Sequence, residues 1–314
     1  MSLRVAVQMD PMEGINIAGD STFAIMLGAQ RRGHQLYHYL APHLSYSEGR
    51  VSARVRPLEV RGQAGDHFTY GEWENLDLEE DVDVVLMRQD PPFDLSYITA
   101  THLLERVQKS TLVVNDPASV RNAPEKLFVL DYAEFMPPTL ITRSLEETRE
   151  FQTRHGEIVV KPLYGNAGTA VFFVGKDDRN LAALSELFSH VWVEPFMVQA
   201  FLPDVAAGDK RIVLVDGKVT GAINRLPKDG EIRSNLAAGG RAEATELTKR
   251  EREICDALGP ELALRGLLFV GIDVIGGHLT EINVTSPTGI VAIDRFNGTD
   301  TPAIIWDAIE AKLS

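Results

Sequence analysis

Two carboxylates and an amide fall at strand spacing near the end of the chain. The run Phe269-Val270-Gly271-Ile272-Asp273-Val274-Ile275-Gly276-Gly277-His278-Leu279-Thr280-Glu281-Ile282-Asn283-Val284 predicts a β-hairpin turning at Gly276-Gly277. Side chains alternate faces along a strand. Val270, Ile272 and Val274 then share a core face with Ile282 and Val284, and Asp273, Glu281 and Asn283 fall on the other. A three-residue loop (Gly276, Gly277, His278) puts Asp273 opposite Glu281, with Asn283 two positions along the same face. Three oxygen donors so placed suit Mg²⁺, a hard cation that takes carboxylate, carbonyl and phosphate oxygens, with Mn²⁺ as the second candidate. A two-residue loop would put the two carboxylates on opposite faces and weaken the metal reading. A solvated polar face is the plain alternative.

Basic side chains punctuate an otherwise acidic chain. Lys161 closes the apolar run Ile158-Val159-Val160 and precedes Pro162-Leu163-Tyr164-Gly165-Asn166-Ala167-Gly168-Thr169. A glycine loop after a strand lets backbone N–H groups approach phosphate oxygens while the lysine supplies a point charge. No Gly-Lys-Ser/Thr follows, so this is not a Walker A loop. Lys126 sits in a short helical pattern. Asp209-Lys210-Arg211 opens one strand and Arg225 ends the next. Pro227 to Arg241 is a long glycine-rich stretch without periodicity, carrying Arg233 and Asn235; loops of that length are usually functional or disordered. Lys126, Lys161, Lys210, Arg211, Arg225 and Arg233 together could supply the basic site that an anionic nucleotide requires, facing an acidic hairpin that holds the metal. Phosphoryl transfer needs such parts, because positioning and charge neutralisation do most of the work there. A surface lysine, a hairpin turn and a plain loop are the ordinary readings of each part taken alone.

The elements that must hold these residues change character along the chain. Strand candidates at Leu3 to Met9, Leu36 to Leu40, Asp83 to Met87 and Thr111 to Asn115 alternate with helices at Thr22 to about Arg32 and Ile98 to Val107, while Arg50 to Val60 suggests a hairpin. Strand–helix alternation argues a doubly wound α/β domain up to about residue 120. Glu125 to Ala133 reads as helix, Ser144 caps a helix over Leu145 to His155, and Ala170 to Val174 reads as a strand after the glycine loop. A further helix opens at Asp178 or Asn180, and Trp192 to Phe201 is extended. The remainder mixes strands at Lys210 to Val215, Lys218 to Asn224, Leu268 to Ile275 and Leu279 to Val284 with helices near 248–264 and 301–313.

The 314 residues suffice for two or three cores. A net charge of −14, from 45 acidic and 31 basic side chains, repels phosphate backbones and anionic lipid, which argues against nucleic-acid or membrane partners. No apolar run approaches the roughly 20 residues of a membrane span, and the N-terminus reads as a first strand rather than a signal peptide. The single cysteine, Cys255, fits a reducing cytoplasm and a buried helix position.

Asp273 with Glu281-Ile282-Asn283-Val284-Thr285-Ser286-Pro287-Thr288, together with Lys126, Lys161, Asp209-Lys210-Arg211 and Asn235-Leu236-Ala237-Ala238-Gly239-Gly240, resembles bacterial glutathione synthetases of the ATP-grasp superfamily. Met9-Asp10-Pro11 and Met87-Arg88-Gln89-Asp90-Pro91-Pro92-Phe93-Asp94 resemble them too, so the likeness runs through the whole chain. It implies a mixed α/β and α+β chain: an N-terminal doubly wound α/β domain (1–121), then a two-part ATP-grasp fold made of a central lid (122–200) and a C-terminal domain (201–314). It implies that Lys126, Lys161, Gly165 and Gly168 meet ATP phosphates, that Gln199, Ala200, Phe201 and Leu202 hold adenine, and that Asp209 reaches the ribose. Arg211, Arg225, Arg233 and Asn235 would surround the transferred phosphate and the peptide carboxylates. Arg88, Ser286 and Thr288 would hold substrate, and Asp273, Glu281 and Asn283 would bind Mg²⁺. The implied reaction joins γ-glutamylcysteine to glycine with ATP through an acyl phosphate, in a cytoplasmic homotetramer. Another acceptor amine on the same machinery, or a non-catalytic ATP binder, are the competing readings. Many members carry a denser glycine loop; here Ala167 adds a Cβ, at a cost of order 1 kcal/mol if positive φ is needed.

Overall fold

A computed structural model describes residues 2–166, 168–236 and 239–314. Three sheets organise it. The first holds β1 (Arg4–Gln8), β2 (Gln35–Tyr39), β3 (Leu44–Ser47), β4 (Arg50–Val60), β5 (Phe68–Tyr70), β6 (Glu74–Asp77), β7 (Val84–Met87) and β8 (Leu112–Val114). Its centre, β2-β1-β7-β8, is parallel, with helices α1 (Ser21–Arg31) and α2 (Leu95–Glu105) between strands and α3 (Pro117–Arg121) after the last. The apolar run of β7 divides by alternation: Val85 and Met87 enter one core, Val84 and Leu86 another. A strand buried on both faces must be apolar throughout.

Arg50 to Val60 is not a hairpin but one strand of 11 residues. No turn residues interrupt its alternation. The reversal comes before it, at Glu48 (φ 51°) and Gly49 (φ 90°), and pairs β3 with β4; two positive φ values in a two-residue turn match the twist of the flanking strands.

The second sheet, in the order β11-β10-β12-β9, comprises β9 (Thr139–Thr142), β10 (Ile158–Pro162), β11 (Phe172–Val174) and β12 (Phe196–Ala200), all antiparallel. Short helix α4 (Glu125–Phe128) precedes it, and α5 (Leu145–His155) and α6 (Leu181–Val191) cover it. The helical reading of Glu125 to Ala133 is corrected in part: the α-helix ends at Phe128, and a 3₁₀ segment follows with Tyr132 off helical geometry. The strand expected from Ala170 begins only at Phe172, because Ala170 sits at φ 55° and is still in the turn.

The third sheet runs β15-β14-β13-β16-β17, from β13 (Asp209–Val215), β14 (Lys218–Leu226), β15 (Arg241–Ala244), β16 (Phe269–Ile275) and β17 (His278–Asn283), with α7 (Lys249–Leu264), α8 (Ile290–Asn297) and α9 (Thr301–Leu313). Helix α8, with Ile290 and Ile293 buried, escaped the sequence reading. The first and third sheets share both large cores. Asn115, just past β8, ties them: its side-chain amide donates to Phe269 O (2.8 Å) and Val284 O (3.0 Å) and accepts from Phe269 N–H (2.8 Å). The second sheet has a core of its own, built on Phe151, Ile158, Val160, Phe188 and Val198. Among the described residues no helix is long and apolar enough to cross a membrane.

Candidate active site

The hairpin β16–β17 turns through two residues, since Ile275 pairs with His278. That register alone would part the carboxylates. A bulge at Thr280 inserts one residue between the Val274–Leu279 and Asp273–Glu281 pairs, and such an insertion restores the facing order that a longer loop would have given. Asp273 therefore lies opposite Glu281 by a route that the spacing did not reveal. Thr280 Oγ fixes the bulge by donating to Asp273 O at 3.1 Å. Val270, Ile272, Val274, Leu279, Ile282 and Val284 fill the core behind.

Cations surround both carboxylates. Arg211, one strand over on β13, donates from Nε and Nη2 to the two oxygens of Asp273, at 2.6 and 3.0 Å. Arg225 of β14 reaches Asp273 Oδ1 at 3.0 Å and also bonds Asp209. Burial alone would push the Asp273 carboxyl up; the two guanidiniums outweigh it and hold the group far below the usual range. Glu281 Oε1 lies 3.3 Å from Lys126 Nζ and 3.6 Å from Lys161 Nζ. Its carboxyl is likewise lowered, the lysines overcoming burial. Burial lowers Lys161, which has a single, longer ion pair and Lys126 as a like-charged neighbour, whereas Lys126 is raised because Glu281 and Glu125 outweigh its burial. Lys126 Nζ also donates to Gly165 O at 2.5 Å, tying the glycine loop to the hairpin. Asn283 Nδ2 is 3.3 Å from Asp273 Oδ2.

Two cavities meet at Glu281. One is lined by Gln199, Ala200, Phe201 and Leu202 of the extended segment, by Lys161, Gly168, Asp209, Arg233 and Asn235, and by Asp273 and Glu281. Asp209 is buried there with its carboxyl pushed up to about 6 by burial, which Arg225 only partly offsets; Ser234 and Arg225 share its Oδ2, and its Oδ1 has no partner among the described residues. The second cavity, of about 310 Å³, is lined by Arg211, Arg225, Asn235, Glu281, Asn283, Ser286 and Thr288. Ser286 adopts φ 41° and donates to Gln89 O at 2.7 Å; the carbonyl of Thr288 accepts from Arg211 Nη1 at 3.1 Å.

The glycine loop and the long loop close on each other over the first cavity. Gly168 has φ +75°, and a Cβ there would come within 2.6 Å of Asn235 Oδ1. At Gly165 a Cβ would meet Pro162 Cγ at 2.5 Å. Arg233 points from the long loop into the cavity lining and pairs with Glu231 at 3.2 Å. Ala167, Ala237 and Ala238 lie outside the described residues.

Arg88 is placed behind the wall rather than in it. Its buried guanidinium donates to Thr22 Oγ1 (3.0 Å) and Pro287 O (2.9 Å) and stacks on Phe269, and burial lowers it to about 10. It braces the Ser286–Thr288 turn. Sequence reasoning missed Glu125, Thr285, Ser234 and Asp90, all at these cavities or their bonds; Glu125 merely precedes a lysine in the chain, and only the fold brings it to the hairpin.

Chain-wide comparison decides the family. Residues 3–121 match the model of the prokaryotic glutathione synthetase N-terminal domain, and residues 125–298 match that of the prokaryotic glutathione synthetase ATP-grasp domain. The chain belongs to the prokaryotic glutathione synthetase family. It is 59% identical over 312 residues to the glutathione synthetase of Rhodopseudomonas palustris, covering 99% of each chain. With that of Brucella melitensis the identity is 56%, over 99% of this chain and 100% of the other. Among solved structures the fold is similar to D-cycloserine synthetase DcsG (15% identity, TM-score 0.70, 99% and 100% covered) and the ATP-grasp ligase PsnB (19%, 0.66, 100% of each). The mixed α/β architecture is that of an N-terminal domain followed by an ATP-grasp fold, and members of the glutathione synthetase family are ATP-dependent ligases.

Proposed function

We propose that this chain makes glutathione: ATP phosphorylates the C-terminal carboxylate of γ-L-glutamyl-L-cysteine, and the amine of glycine displaces phosphate from the acyl phosphate. Membership of the family, at 59% identity over nearly all of both chains, supports the reaction. The observation that carries the site is the position of Glu281 between two cavities, with Lys126 and Lys161 on its carboxylate. One cavity has an apolar, extended strand edge fit for a base. The other has Arg211 and Arg225 fit for carboxylates.

The residues suit a hard divalent cation. Asp273 and Glu281 face each other across the bulged pair, and Asn283 is beside them, giving two carboxylates and an amide oxygen once the amide is turned. When bound, Mg²⁺ would neutralise charge developing on the transferred phosphoryl group. The lysines and arginines now paired with these carboxylates are the groups that phosphates would draw away. Arg211 and Arg225 would orient the peptide carboxylate, Arg233 and Asn235 would close over the phosphates, and the paired loops would keep water from the acyl phosphate. Asp209, with one oxygen unpartnered, would accept from a ribose hydroxyl, and Ser286 and Thr288 would hold peptide backbone, braced by Arg88.

The three units 1–121, 122–200 and 201–314 are supported by the residue ranges of the three sheets. The cytoplasmic homotetramer is carried from the family resemblance; light scattering that returns the mass of one chain overturns it. The deciding assay is ADP release with ATP, Mg²⁺ and γ-glutamylcysteine, with and without glycine. Glycine-dependent release with glutathione in the product is expected. Release supported by another amine but not by glycine would reassign the acceptor.

A further inference from the structure

Among the described residues, three of the four acidic side chains around the hairpin are ion-paired, and Glu125 is not. Asp273 has Arg211 and Arg225, Asp209 has Arg225, and Glu281 has two lysines. Glu125 lies in the field of Glu281, Lys126 and Arg211, yet among the described residues it makes no ion pair. Its hydrogen-bond partner is a neutral hydroxyl, Thr285 Oγ1, which donates to Oε1 at 2.8 Å. Lys126, next in the chain, spends its ammonium on Glu281 and Gly165 O.

Glu125 also lies where two spaces join. It lines the 310 Å³ cavity and a much narrower one of about 10 Å³ between Phe93 and Tyr164. Those rings stack across the gap, with centroids 6.1 Å apart and planes 12° from parallel. A space of that size takes about one water, or one ammonium group. Burial pushes the Glu125 carboxyl up to about 7; the nearby charges of Lys126 and Arg211 offset this only in part, and Glu281 adds to the rise.

The reaction brings two ammonium groups to the large cavity: the α-ammonium of the γ-glutamyl group and that of glycine. Two acids there lack a cationic partner among the described residues, Asp90 and Glu125. Asp90 is exposed; Glu125 is half-buried, beside the aromatic gap and within the field of Glu281. The nitrogen that must reach the acyl phosphate belongs at the less exposed of the two.

We infer that Glu125 receives the ammonium group of the acceptor glycine, in a pocket that the stacked Phe93 and Tyr164 make too narrow for a substituted nitrogen. The inference rests on the ligase reading above and adds the seat of the amine. Loss of a charge-assisted hydrogen bond weakens binding by about 10- to 100-fold. In Glu125→Gln, which keeps an acceptor for Thr285, the KM for glycine should rise by about that factor. Hydroxylamine is uncharged at pH 7.5 and needs no carboxylate, so ADP release with hydroxylamine in place of glycine should change less than about threefold, as should the KM for γ-glutamylcysteine. In Tyr164→Ala, a change on a partly exposed loop residue, turnover with N-methylglycine relative to glycine should rise about tenfold.

A KM for glycine unchanged in Glu125→Gln overturns the assignment. So does a raised KM for γ-glutamylcysteine with glycine unaffected, which would give Glu125 the other ammonium. Equal losses with glycine and hydroxylamine would make its role structural and equally overturn it. Discrimination against N-methylglycine that survives Tyr164→Ala overturns the aromatic wall. A native enzyme that releases ADP with neither amine sinks the ligase reading, and this inference with it.

Discussion

Glu281 balances two buried ammonium groups, and that is the most exposed dependency in the site. Lys126 and Lys161 are 4% and 7% accessible, and among the described residues this carboxylate is the only one that forms an ion pair with them. Breaking a buried pair from one side typically costs about 3–5 kcal/mol, because the other charge is left in a poor solvent. Glu281→Gln should therefore lower the melting temperature of the ligand-free protein as well as reduce Mg²⁺-dependent turnover by about 100-fold or more. Near-normal turnover would remove the hairpin from the mechanism. Glu125 gives a prediction of opposite sign. Its folded pKa of about 7 lies above the ordinary carboxylate value, so the native state keeps a proton that the unfolded chain has lost. Its stabilising contribution is complete below about pH 4.5 and drains away as pH rises through about 7. Glu125→Gln removes that loss: its melting temperature should exceed that of the native protein at pH 8, and the gap should close by pH 5. A gap independent of pH would mean that the carboxyl is not the cause.

At the scale of elements the two closing loops depend on backbone geometry. Gly168 combines a left-handed φ with a close approach to Asn235. An alanine there pays about 1 kcal/mol or more in backbone strain and also pushes the long loop away. Gly168→Ala should raise the KM for ATP several-fold and leave the melting temperature within a few degrees, since the loop lies outside the three cores; steady-state kinetics with unchanged ATP affinity would detach this contact from nucleotide binding. How legible these elements were differs by cause. The strands of the parallel sheet and the hairpin strands were readable because alternation and continuous apolar runs are local consequences of burial. The Asp273–Glu281 pairing was expected from a three-residue loop, and it arises from a two-residue turn plus the Thr280 bulge; a bulge leaves no mark in the residue pattern. Ala170 carried a strand-like neighbourhood but a turn conformation. Glu125 was invisible because its environment is made by Thr285, 160 residues away.

For the whole molecule, the distribution of cores implies one moving part. The first and third sheets interdigitate in two shared cores and are bolted together by Asn115, so they form a single body. The second sheet has a core of its own with its helices, and it reaches that body through contacts that a ligand could rearrange: Lys161 to Glu281, Lys126 to Gly165, Gly168 against Asn235, Tyr164 on Phe93. A unit with its own core and few buried ties opens at a lower free energy than the body it covers. If the first cavity is the nucleotide site, as proposed, filling it, with walls on both parts, should stabilise the closed arrangement by mass action. With a non-hydrolysable ATP analogue and Mg²⁺, amide exchange should slow in residues 164–169 and 228–241, while β1, β7, β13 and β16, already held by two cores, should hardly change. Protection spread evenly over all three sheets would instead mean that the chain behaves as one rigid unit, and that closure of the lid does not accompany nucleotide binding.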